Sequence, residues 1–105
     1  MTEEIDRTPL IPFRDRLDEI DDQIMELFAK RYRVRDETME VKVEHAMPIE
    51  VQSRVTEVIK RMVKKADDLD VPPEFAKALY TLVIDYSHKY EEQYRETIAQ
   101  EEEVA

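Results

Sequence analysis

Arg31 and Lys42 stand eleven residues apart in the stretch Leu27–Lys42, LFAKRYRVRDETMEVK, at places where an amphipathic helix should show apolar side chains. Burying an unpaired Arg or Lys costs several kcal/mol, so each of these cations needs an anion beside it. With 26 Asp and Glu in the chain, the ordinary solution is an internal ion pair. Two cations on one stripe, with Arg14 and Arg54 able to approach the same region, point instead to a site for a small polyanion. Arginine brings a planar fork suited to a carboxylate, and lysine a point charge that can sit on a single oxygen. Arg35 also lies near the stripe and is expected in a rim salt bridge. Further along, Tyr80, Ile84, Ser87, Glu91, Tyr94 and Ile98 keep a three-four spacing. That row sets Ser87 and Glu91 one helical turn apart in otherwise apolar and aromatic company.

The composition narrows the chemistry. A net charge of -10 argues against nucleic acid and anionic membrane surfaces, both of which need a basic field. The chain has no cysteine, which excludes disulfides, thiolate catalysis and cysteine-bound metal. It also has no glycine, and phosphate loops and dinucleotide fingerprints need backbone that only glycine permits. No cofactor and no metal are therefore expected. His45 and His88 belong to no HExxH-like pair, and Ser87 and His88 are helical neighbours that do not face each other, so both histidines read as surface or rim residues. No apolar run reaches the roughly 18 residues of a membrane span, and the N-terminus lacks the order of a signal peptide, so the expected location is the cytoplasm.

The elements that must position these residues are punctuated by proline. Pro9 and Pro12 precede or open a first helix over about 12–45, Pro48 separates it from a second over about 50–67, and Pro72–Pro73 open a third over about 72–98. The tail QEEEVA should fray, leaving one all-α domain over 1–105 with a core at about 10–98. The first-helix stripe runs Phe13, Leu17, Ile20, Ile24, Leu27, and continues through Arg31, Val34, Thr38, Val41 and Lys42. Such a helix is roughly 50 Å long at 1.5 Å per residue, whereas a compact chain of this size has a radius of gyration of about 13 Å. Its apolar stripe needs a partner, and the simplest is the same helix of a second copy, which predicts an intertwined homodimer. The second helix offers Val51, Val55, Val58, Ile59 and Met62 with Arg54 beside them, and the third a main core stripe of Phe75, Leu79, Leu82, Val83, Tyr86 and Tyr90.

The phrase FRDRLDEIDDQIMELFAKR, the lysine eleven residues after Arg31, HAMPIEVQSRV and LYTLVIDYSHKYEEQY together resemble the all-helical (AroQ-class) chorismate mutases over roughly residues 10–95. The resemblance implies a domain-swapped dimer of three helices per chain, in agreement with the length argument. It also implies roles. Arg14 would reach across to the partner's site and, with Arg31, bind the two carboxylates of chorismate. Lys42 would contact the ether oxygen of the breaking bond, and Glu91, at a position commonly Gln, would make the other contact there. Arg54 would support the site, and Ser87 would lie near the ring carboxylate. Val51 and Val55 depart from the pattern, since they stand where well-studied mutases carry acidic residues, the second of which reads the ring hydroxyl.

Rearrangement of chorismate to prephenate is unimolecular and needs no nucleophile, metal or cofactor. The protein must fold the enolpyruvyl arm over the ring and stabilise charge growing on the ether oxygen, which cations in a dry pocket can do. A carboxylate at position 91 would repel that charge, whereas a carboxylic acid can donate to it. Two alternatives accompany this reading. Isochorismate pyruvate-lyases share the fold and the Arg/Arg/Lys set and resemble this chain in having valine directly after the second-helix arginine, while the six-residue step from Pro48 to Arg54 is mutase-like. A non-catalytic helical dimer module is the alternative of another class.

Overall fold

A computed structural model describes residues 5–104 as a 3₁₀ turn, Thr8–Leu10, followed by α1 (Ile11–Glu44), α2 (Gln52–Asp68) and α3 (Pro73–Val104). Among the described residues there is no strand, so the all-α, three-helix expectation holds. Proline sits where its missing N–H costs least: Pro9 in the 3₁₀ turn, Pro12 in the first turn of α1 and Pro73 at the start of α3. Ahead of the 3₁₀ turn the Asp6 carboxylate accepts the Thr8 N–H at 3.0 Å, and its hydrogen bonds to Thr8 hold that carboxyl below its ordinary range.

Two boundaries differ from the expectation. α2 starts at Gln52, after an extended Val51 that gives it no side-chain cap. α3 runs on through Val104, so the acidic tail is helical rather than frayed; Ala105 lies outside the described residues. Past Pro73 there is neither proline nor glycine to stop the helix, and Ala, Gln and Glu are good helix formers.

Both inter-helix turns are made without glycine. After α1, Ala46 takes φ 52°, with its N–H on the Val43 carbonyl at 3.3 Å and the Met47 N–H on that of Lys42 at 2.8 Å. This is a Schellman cap, and Asp70 at φ 58° repeats it after α2. Aspartate tolerates this region better than alanine does. Ala46→Gly should therefore relieve strain of about 1–2 kcal/mol. Against this stands about 0.4–1 kcal/mol for the added freedom of the unfolded chain. The expected outcome is a higher urea midpoint with an unchanged slope.

The chain divides after Val34 into two compact units. In the first, Phe13, Leu17, Ile20, Ile24 and Leu27 form the predicted stripe, and every one of them is 44–64% exposed. In the second, the core is Met39 from α1, Val58 and Ala66 from α2, and Ala76 and Ile84 from α3.

The second unit corrects two expected faces. Along α1 the buried position is Met39, flanked by half-buried Arg35 and Lys42, while Val34 and Val41 of the expected stripe are exposed. On α3 the buried row is Ile84, Ser87 and Glu91, whereas Phe75, Leu82 and Tyr86 of the expected main stripe are 54–56% exposed. The physical reason is the same in both helices. Each has two apolar faces, and within one chain only the face turned toward α2 and the C-terminal end of α1 is covered. Tyr90 fixes that packing, its hydroxyl donating to Asp36 Oδ1 at 2.5 Å. Among the described residues no helix is long and apolar enough to cross a membrane.

Candidate functional site

Glu91 is the chemical centre of the second unit. It lies on the covered face of α3, and its side chain is 0% exposed. A carboxylate so buried requires cations, and two meet it: Arg35 Nη1 at 3.2 Å from Oε1 and Lys42 Nζ at 3.5 Å from Oε2. Oε1 nevertheless accepts no hydrogen bond, because the Arg35 contact has ion-pair distance without hydrogen-bond direction. Glu91 is thus balanced in charge but retains one unsatisfied buried oxygen.

Lys42 is placed by the last turn of α1, where a cation also meets the negative end of the helix dipole. Its ammonium donates to the Ile49 carbonyl at 2.8 Å as well as to Glu91, so two of its three donors are engaged and one remains. The loop that brings Ile49 to it is held from α3, where Arg95 donates to the Met47 carbonyl at 2.6 Å.

Beside these groups is a cleft of about 180 Å³. Arg35, Lys42 and Arg54 give it three cations, and Val51, Val55, Val58 and Ile84 give it an apolar wall. The guanidinium of Arg54 pairs with Glu57 at 2.7 Å, with both side chains more than half exposed. Such a surface pair is worth about 0–1 kcal/mol and leaves Arg54 able to turn to a ligand. Ser87 is buried and donates to the Val83 carbonyl of its own helix at 2.8 Å. His88 lines the same cleft, with Nδ1 3.9 Å from Glu50 Oε1, while His45 is exposed. Two larger clefts are less suited to an anion. One, about 480 Å³, shares Lys42, but its second cation is Arg95, already engaged with the Met47 carbonyl. The other, about 630 Å³, lies along α2 and the start of α3, where Lys64 is already paired with Asp68 at 3.1 Å.

Of the residues singled out in the sequence, the second unit gathers Lys42 and Glu91 in direct contact, with Arg54 on the same cleft and Ser87 buried one turn from Glu91. Arg14, which is exposed, and half-buried Arg31 belong to the first unit. Arg35 was expected at the rim in a salt bridge; it does form one, but to the buried Glu91 and on the cleft itself. The signal for it was its spacing. Arg35, Met39 and Lys42 stand at i, i+4 and i+7, one face of a helix. Among the described residues no three His, Asp or Glu side chains cluster as a metal site.

A T-protein of Enterobacter agglomerans is 32% identical over 82 residues, which are 78% of this chain and 22% of that protein's length. The family described as Chorismate mutase type II matches residues 13–92, from the first-helix stripe to one residue past Glu91. The chain belongs to the chorismate mutase type II family.

Proposed function

We propose that this chain is a chorismate mutase that converts chorismate to prephenate in aromatic amino-acid synthesis, acting in the cytoplasm as an intertwined homodimer without metal or cofactor. The observation that carries the reading is the buried Glu91 held between Arg35 and Lys42 beside a small cleft walled by valine and isoleucine. Cations held beside an apolar wall stabilise negative charge on a substrate oxygen better than water does.

In this mechanism the remaining donor of Lys42 points to the ether oxygen, and Glu91 makes the other contact there. Arg31, and Arg14 supplied by the second copy, take the two carboxylates; Arg54 turns from Glu57 to support them, and Ser87 stands near the ring carboxylate. Held this way, the enolpyruvyl arm lies over the ring. The C–O bond breaks as the new C–C bond forms, with no group transferred to the protein.

Supporting the dimer are the exposed stripe of α1 and the exposed Phe75, Leu82 and Tyr86 of α3. Exposed apolar stripes of this kind, taken each by itself, mark interfaces.

A shift in thermal midpoint tests the site against the reading of a non-catalytic helical module. A bicyclic dicarboxylate that mimics the transition state should raise the midpoint, because a ligand bound only by the folded state stabilises it. No shift at millimolar mimic, with no turnover, would favour the module. The apolar wall at Val51 and Val55 is what favours isochorismate pyruvate-lyase as the second reading, since it lacks an acid to read the hydroxyl of chorismate.

The role of Glu91 has its own signature. A carboxylate beside the ether oxygen repels the charge that grows there, whereas an amide donates to it. Glu91→Gln should therefore keep or raise activity on chorismate. A Gln variant that folds but is inactive beside an active wild type would refute the donor role.

A further inference from the structure

The side chains that line the cleft are nearly all of one hydrogen-bonding kind. Arg35, Lys42 and Arg54 only donate, and the valines and isoleucines do neither. Of the backbone acceptors there, the Val51 carbonyl takes the N–H groups of both Arg54 and Val55, and the Ile49 carbonyl already takes the Lys42 ammonium on one of its two lone pairs. A ring hydroxyl entering this cleft must give its proton to something, and a buried hydroxyl without an acceptor loses the full cost of its desolvation. His88 is the one lining side chain with acceptor capacity. It is 20% exposed, on the turn of α3 next to Ser87, and its Nδ1 faces the Glu50 carboxylate. A neutral imidazole carries a lone pair on one ring nitrogen and can accept there.

We propose that His88 is the specificity-determining residue of this site, accepting a hydrogen bond from the ring hydroxyl of the substrate. The inference rests on the reading of the site as a chorismate site and adds a group to it that composition and spacing did not mark. It makes selectivity for hydroxylated over deoxygenated ring ligands a property of one side chain. The valine wall then excludes water around the ring and leaves the polar contact to His88.

The test pairs two ligands with two variants. Binding of a bicyclic dicarboxylate carrying the hydroxyl, and of the same compound lacking it, is measured calorimetrically on wild type, His88→Leu and His88→Gln, together with kcat/KM on chorismate. His88→Leu should weaken the hydroxylated ligand by about ten- to a hundredfold, the worth of an unsatisfied buried hydroxyl. It should leave the deoxy ligand within about twofold, because nothing there needs the acceptor. His88→Gln, whose amide oxygen can accept, should recover much of the loss, and kcat/KM should follow the hydroxylated ligand. Equal losses on both ligands, or no loss on the hydroxylated one, would overturn the role of His88 while leaving the enzyme reading intact. A wild type that binds neither compound and turns over no substrate would overturn the enzyme reading, and the role of His88 with it.

Discussion

Lys42→Met should lower kcat on chorismate by about 10²–10³-fold, the effect of removing one donor aimed at developing negative charge. KM should change much less, because the ether oxygen gains its charge only in the transition state. The substitution also takes one of two cations from a carboxylate that is 0% exposed. Breaking a buried pair from one side costs about 3–5 kcal/mol, so the single variant should melt early as well. The double variant Lys42→Met/Glu91→Gln separates the two effects. With the charge at position 91 removed, stability should return toward wild type while activity stays low. Recovery of activity along with stability would mean that Lys42 only holds Glu91 and does no work on substrate.

Ile24→Asp should abolish assembly. Ile24 is 44% exposed on a stripe whose other members are exposed too, and nothing in the first unit covers them. Each such side chain contributes about 1.5–3 kcal/mol when fully buried. A second copy laid along the stripe gains that many times over, and an aspartate in its middle would be a buried charge without a partner. Wild type at micromolar concentration should sediment at twice the chain mass of 12.6 kDa, and the variant as a monomer or an unfolded chain without activity. A wild type that is a stable folded monomer, or a variant that remains a fully active dimer, would contradict both the intertwined fold and the supply of Arg14 by the partner.

What could be read in the residues, and what could not, follows from which forces are local. Pro12, Pro48 and Pro73 act on their own backbone, and the helices begin where they allow. The C-terminal end of α3 runs past the expected one because nothing local stops it: a terminal segment is expected to fray, yet Glu and Gln are themselves helix formers. The row holding Ser87 and Glu91 was visible as spacing, but that it, rather than Phe75, Leu82 and Tyr86, is the face buried within the chain depends on which neighbour lies where. Lys42 and Glu91, which the resemblance sets on the same ether oxygen, lie 3.5 Å apart, a proximity that spacing on two separate helices does not give. Arg35 reads as a rim salt bridge because it lies beside the stripe through Arg31, although its register with Met39 and Lys42 marks the face that carries it to Glu91. His88 gave no signal at all, since one histidine on a helix says nothing of the cleft it faces.

The measurement that tests the central claim most directly is to incubate the purified chain separately with chorismate and with isochorismate and to identify the products. Prephenate from chorismate, with isochorismate left largely intact, is the predicted result. Salicylate and pyruvate from isochorismate, without prephenate from chorismate, would contradict the mutase reading and assign the site to the lyase; no product from either would contradict an enzymatic role on these substrates.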